Sequence, residues 1–421
     1  MRFVLALSLA LASCFLGTPA EADDDAPLRV ATFECDATPP LGFWWYVQPL
    51  KTVEHPLLAK GIVLDDGAHR YVLAAIDWCV LAGSTHLPLR KQLAEAAGTD
   101  VGRVMVQTVH QHTAPVFDGD GWREARKKKD PPEAADPAFI TETGRRLDEA
   151  IRKAIERLQP VDRIGMGQAK VQRVASSRRI PLPDGKVRSR FSAATDPELQ
   201  AAPEGFIDPF LKTITFARGQ RPIVRLHYYA THPQSYYRDG RASYDFVGMA
   251  RQRLQEKEGV FQIYFTGCAG DVAAGKYNNG TPEARSGLAE RLFAGMEASV
   301  AATKYVPIQP IAWHNVDLVL SPKVARPDGK PMPPIQLGSL AIGPIRILHL
   351  PGEPMVEYQL YAQKQLPNDF VAVAGYGEGS TGYICTERAF TEGGYEPTGS
   401  EVAPNSEPLV KAAIRGLLGT E

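Results

Sequence analysis

Among the 421 residues there are five cysteines, and no two stand as C-x-x-C. That argues against a zinc site built from cysteine. Charge of one sign is lacking too. The formal net charge is −1, which argues against a nucleic-acid partner, since that normally needs a basic surface. One basic run, Arg123 to Lys129, reads as a solvated loop or helix end. No apolar stretch approaches the roughly 18 residues of a membrane span, so no transmembrane helix is expected. Two catalytic signatures are missing, G-x-S-x-G and H-E-x-x-H. Gly270 to Lys276 spells G-x-x-x-x-G-K, but Tyr277 stands where a magnesium-holding Ser or Thr belongs. Gly377, Gly379 and Gly382 spell G-x-G-x-x-G with no helical pattern behind them, which reads as a loop.

What is present begins with a targeting segment. Met1-Arg2 is positive, Phe3 to Ala12 is apolar, and Ala20-Glu21-Ala22 offers a small-x-small cleavage site. Residues 1–22 are therefore expected to be a signal peptide. The mature chain would be exported, periplasmic or secreted. Leu11-Ala12-Ser13-Cys14 resembles a lipoprotein box, so a lipid anchor at Cys14 is the alternative. Cys35, Cys79, Cys268 and Cys385 remain beyond the signal; they allow three complete pairings, and spacing does not choose among them.

With 37 Gly and 34 Pro, the chain is rich in turns, and one pattern between those turns recurs three times. A hairpin over Gly61 to Asp77 turns at Asp66-Gly67. A helix over Leu87 to Ala97 and a strand over Val104 to Val109 follow it. The second copy has a hairpin turning at Arg218-Gly219, a helix near Phe246 to Glu258 and a strand at Phe261 to Phe265. The third has Leu337 to Ala341, Ile345 to Leu350, a helix over Met355 to Leu366 and a strand at Phe370 to Ala374. The expected fold class is α/β, with layered mixed β-sheets flanked by helices and built from three hairpin–helix–strand units. A further helix, Ala138 to Leu158, and an Arg-rich loop, Ser176 to Arg190, fall between the first two copies. No linker separates domains, so residues 23–421 are expected to form one.

Each copy leaves polar residues at strand ends, where α/β folds commonly hold ligands. These are Asp77, His110 and His112; His232 and Asp271; Glu353 and Tyr383. On a strand, residues i and i+2 face the same way, so His110 and His112 suit a shared metal, or a ligand beside an acid/base. Singly, each has an ordinary structural reading. His232 can be hydrogen-bonded core, Glu353 can sit at a helix N-terminus, and Tyr383 can be core. Together, His, carboxylate and phenol at matching places make a zinc shell with a site open to water. Asp245 and Asp271 could orient the histidines, or could cap turns and helices instead.

The motifs resemble those of the neutral/alkaline non-lysosomal ceramidase family. They are VHQHTAP (Val109 to Pro115), YATHPQ (Tyr229 to Gln234), SYDFVG (Ser243 to Gly248), TGCAGDV (Thr266 to Val272), LPGEP (Leu350 to Pro354) and GYICTERAFTEGGYE (Gly382 to Glu396). CDATPP (Cys35 to Pro40) resembles the family's opening, and the set runs in the family's order. The resemblance implies a catalytic domain that cleaves an N-acyl amide bond by metal-activated water. It implies zinc ligands His110, His232, Glu353 and Tyr383, with His112, Tyr395 and Arg178 at the reacting carbonyl. Arg179 is an equal candidate by position. Three departures stand out. Ala273 replaces a serine once assigned as nucleophile, so no acyl-enzyme can form there. Gln111 and Thr113-Ala114 alter the pocket wall. The family's C-terminal immunoglobulin-like domain is not expected within this sequence. The substrate is thus a lipid or small-molecule amide, with a non-lipid amide or ester as one alternative and a non-catalytic binding protein as the other. Few contiguous apolar residues flank the motifs, which disfavours a long acyl tunnel.

Overall fold

The structure is a computed structural model describing residues 28–43, 48–118, 137–237, 239–325, 329, 331–377 and 381–420. The expected signal peptide, Cys14, the basic run 123–129 and residues 378–380 of the glycine loop lie outside that set.

Three sheets repeat one topology. The first contains β1 (Arg29–Asp36), β2 (Leu58–Asp65), β3 (Arg70–Ile76) and β4 (Val104–Thr108). The second contains β5 (Arg163–Lys170), β6 (Phe210–Arg218), β7 (Arg221–Tyr229) and β8 (Phe261–Thr266). The third contains β9 (Ile311–Leu318), β10 (Ile335–Ile342), β11 (Ile345–Pro351) and β12 (Phe370–Gly377). Spatial orders are β4-β3-β2-β1, β8-β7-β6-β5 and β12-β11-β10-β9. The first two sheets gain a short edge strand, Gln159–Pro160 and Lys304–Pro307 respectively. In each sheet the last strand pairs parallel with the second arm of the hairpin, and the other pairings are antiparallel. Tight turns join the hairpin arms, where Gly67, Gly219 and Gly343 adopt φ of 91°, 58° and 54°. A side chain there would be strained.

A helix pair covers the outside of each sheet: α1 (His86–Ala97) with α2 (Pro137–Ile155), α3 (Asp245–Glu258) with α4 (Pro282–Ala301), and α5 (Val356–Gln365) with α6 (Ser406–Leu418). Each unit is thus larger than the hairpin, helix and strand read from the sequence. A leading strand and a trailing helix complete it. The helix at 137–155, expected between copies, is the trailing helix of the first.

Strand alternation explains the burial. In β3, Leu73 and Ala75 face the central core, while Val72, Ala74 and Ile76 face α1 and α2. Both sides are covered, so the strands read as continuous apolar runs. Each fully buried aliphatic side chain contributes roughly 1.5–3 kcal/mol relative to exposure. The central core joins all three sheets through Leu73 and Met105, Leu226 and Ile263, and Leu340 and Ile347.

The C-terminal ends of the three parallel pairs meet. The Thr266 hydroxyl donates to the Val109 carbonyl at 2.6 Å, and the Thr108 hydroxyl to the Tyr376 carbonyl at 3.3 Å. Cys35, Cys79, Cys268 and Cys385 are all unpaired. Among the described residues no helix is long and apolar enough to cross a membrane.

Candidate metal centre

Just past these strand ends the three units deliver His110, His232 and Glu353. One ligand atom from each lies within 4.8 Å of the others. The Nε2 atoms of His110 and His232 both stand 3.2 Å from Glu353 Oε2. Both histidines spend their other nitrogen on a backbone carbonyl. His110 Nδ1 donates to Cys79 O at 2.7 Å, and His232 Nδ1 donates to Ala269 O at 2.6 Å. A carbonyl only accepts, so the proton sits on Nδ1 and the Nε2 lone pair is left free. This is the arrangement that orients metal-binding imidazoles.

The free atoms have no hydrogen-bond partner. His110 Nε2, His112 Nε2, His232 Nε2 and Glu353 Oε2 are all buried and unsatisfied. Two imidazole lone pairs aimed at a carboxylate oxygen repel one another unless a cation or proton lies between them. Burial pushes His232 down to about 4, so that ring is neutral at neutral pH. Neutral imidazole and ionised carboxylate are the states that a divalent cation binds. The donor set therefore fits one.

Local backbone achieves the convergence at some cost. His110 has φ of 69°, a strained value for a side-chain-bearing residue, worth about 1–3 kcal/mol. The strand ends at Thr108, so the expected i, i+2 alternation of His110 and His112 does not apply. Their rings still stand close, 4.9 Å apart and edge to face. His232 lies beyond the end of β7 and bridges to Ala273. Glu353–Pro354 pairs in parallel with Tyr383–Ile384, which sets Glu353 directly beside Tyr383. Gly270 makes room here, because a Cβ on it would lie 2.5 Å from the Glu353 carbonyl oxygen.

Tyr383 and Arg178 form the next layer. The Tyr383 hydroxyl accepts from Arg178 Nη1 at 3.1 Å, and its ring lies 6.4 Å from that of His232. Burial, with Glu353 adding to it, raises the Tyr383 phenol well above its ordinary value. The Arg178 guanidinium lies over the Tyr383 and Tyr395 rings at 5.6 and 5.1 Å. Its Nη1 also donates to Gly270 O at 3.2 Å. Arg179 points elsewhere, into ion pairs with Glu392 and Glu396 at 3.1 and 2.7 Å. Of the two arginines, Arg178 is the one at the cavity.

A cavity of about 720 Å³ opens onto this centre, walled by His112, Arg178, Phe191, Tyr237, Glu353 and Tyr395 among others. His112 faces it with a free Nε2. Burial, followed by the neighbouring His110 and His232, holds this imidazole well below its ordinary range.

Three aspartates whose roles the sequence left open serve the surrounding fold. Asp271 Oδ1 accepts from Val356 N at 2.9 Å, capping α5. Asp245 accepts from Ser235 N and Phe246 N at 2.9 and 2.6 Å. Neither is hydrogen-bonded to a histidine. The orienting groups are the Cys79 and Ala269 carbonyls. Asp77 makes a bidentate pair with Arg251 at 2.8 and 2.9 Å. Tyr376, absent from the sequence reading, stacks on His110 at 4.2 Å and places its hydroxyl 3.4 Å from His232 Nδ1. It sits at φ of 61° next to Gly375 and Gly377. That strained glycine-rich setting was its only sequence signal.

No protein-family profile and no curated protein matches the sequence. Solved structures do share the fold. Neutral ceramidase from Pseudomonas aeruginosa aligns with TM-score 0.70 and 15% identity, over 94% of this chain and 75% of that one. A ceramidase complexed with C2 aligns with TM-score 0.69 and 15% identity, over 93% and 74%. The layered α/β architecture expected from the sequence is therefore that of the neutral ceramidase structures.

Proposed function

We propose that this chain, which has the neutral ceramidase fold, is an exported zinc-dependent hydrolase that cleaves an N-acyl amide bond. One observation carries the reading. Three buried donors from three separate units converge with their metal-binding atoms unsatisfied and their other atoms committed to orientation. His110, His232 and Glu353 would hold the cation, with Tyr383 as the fourth group. When bound, the metal supplies Lewis acidity, which makes water nucleophilic near neutral pH and polarises a carbonyl.

The protein's own groups supply the rest. His112 Nε2, free and facing the cavity, accepts the proton released on attack and returns it to the departing amine. Arg178 and Tyr395 border the space where negative charge develops on the carbonyl oxygen, and they stabilise it there. The Arg178 contacts to Gly270 O and Tyr383 fix that guanidinium beforehand. Ala273 carries no hydroxyl and is fully buried, so this mechanism forms no acyl-enzyme at that position.

The test is a panel of N-acyl sphingosines, short N-acyl amines and esters, assayed before and after chelation. Amide hydrolysis that disappears with chelator and returns with zinc supports the reading. Hydrolysis indifferent to chelator contradicts it. Turnover of esters alone would move the activity to a zinc esterase.

A further inference from the structure

We infer that Cys79, His110 and His112 form a second donor set, which takes a thiophilic cation and competes with the first set for His110. The inference rests on the metal reading above. Cys79 offers Sγ, and His110 and His112 one nitrogen each, with all three atoms within 4.8 Å of one another.

Three observations carry it. His112 Nε2 and His110 Nε2 have no partner. Cys79 borders the same cavity as His112. Cys79 also borders a void of about 10 Å³ shared with His110 and Glu353, close to the smallest space that holds a water. In a tetrahedral site, donors stand about 3.5 Å apart, given bonds of about 2.3 Å to sulfur and about 2.0 Å to nitrogen. Side-chain shifts of about an ångström would close the set.

His110 makes the two sets exclusive. Its Nδ1 is committed to the Cys79 carbonyl, which leaves one nitrogen for one cation. The first set offers nitrogen and carboxylate, which suits zinc. The second offers sulfur, which favours softer ions. Binding there replaces the thiol proton. The S–H bond breaks, the same electron pair forms the sulfur–metal bond, the proton leaves to solvent, and nothing is oxidised or reduced. A cation so held also occupies His112.

The test adds cadmium to the metal-free full chain and reads sulfur-to-cadmium charge-transfer absorption. Native protein should show it. Cys79→Ser should lose it while still binding cadmium through nitrogen and oxygen. His112→Ala, at a less buried position, should move the titration midpoint to higher cadmium. His232→Ala should keep the absorption while failing to retain zinc. No absorption in native protein, undiminished absorption in Cys79→Ser, or an unmoved midpoint in His112→Ala overturns the proposal. Native protein that retains no zinc yet shows the absorption would sink the metal reading and leave the sulfur set standing.

Discussion

Two buried polar clusters lie just past strand ends of the same fold, and they differ in what they leave over. Asp77 and Arg251 are almost fully buried, and they satisfy each other through two hydrogen bonds, with Leu58 N adding a third to Asp77. His110, His232 and Glu353 are as polar, yet each keeps an atom with no partner. The first cluster is complete as protein. The second leaves hydrogen-bonding capacity unspent. Residue type did not distinguish them, since Asp77 read as a site candidate too. Unspent hydrogen-bonding capacity does.

Substitutions can break this contrast from either side. The largest effect is expected at the open cluster. His110→Ala should lose bound metal and cut kcat/KM by on the order of 10³-fold or more. The variant should unfold at nearly the temperature of the native protein stripped of metal, because the substitution removes a repelling group. Metal analysis with calorimetry reads both. At the closed cluster the signs reverse. Arg251→Ala should cost about 3–5 kcal/mol by leaving Asp77 buried and unpaired, measured by denaturant unfolding. Metal per folded chain should stay unchanged.

Histidines outside the centre give a pH signature. Burial pushes His86, His227 and His349 down to about 4, 4 and 3. His227 shows why: its Nδ1 and Nε2 face Thr213 and Gln262 at 2.9 and 2.7 Å, with no carboxylate partner. Unfolded, each would titrate near the ordinary value of about 6.5. The unfolded chain then binds more protons below that value, so stability falls as pH drops. It should be full above about pH 6.5 and decline down to about pH 3, as followed by thermal melts across that range.

Smaller effects sharpen the roles around the open cluster. Arg178→Lys should retain metal and lower kcat by about 10²-fold, the scale of one lost transition-state donor. Ala273→Ser should change kcat by no more than about twofold and give no acyl-enzyme burst in rapid-quench kinetics.

Much of this architecture was legible in the sequence because it rests on local signals. Apolar runs, turn glycines and helix patterning marked the hairpin, helix and strand of each unit. The leading strands were not marked. In β9, Ile311 to Leu318, only Leu318 is fully buried, and Arg163 to Lys170 in β5 carries two glycines. The ligand candidates could be named because imidazole and carboxylate are visible letters. Their orienting partners could not, since a backbone carbonyl from Cys79 or Ala269 leaves no mark on residue identity. For Asp245 and Asp271 the sequence left an orienting role and a turn- or helix-capping role both open, and the capping role is the one they fill.

The most direct test is metal content of the full chain purified without added metal, dialysed, and compared with His232→Ala and Arg251→Ala. The expected result is about one zinc per native chain, none in His232→Ala, and about one per folded Arg251→Ala chain. Zinc retained undiminished in His232→Ala would contradict the account.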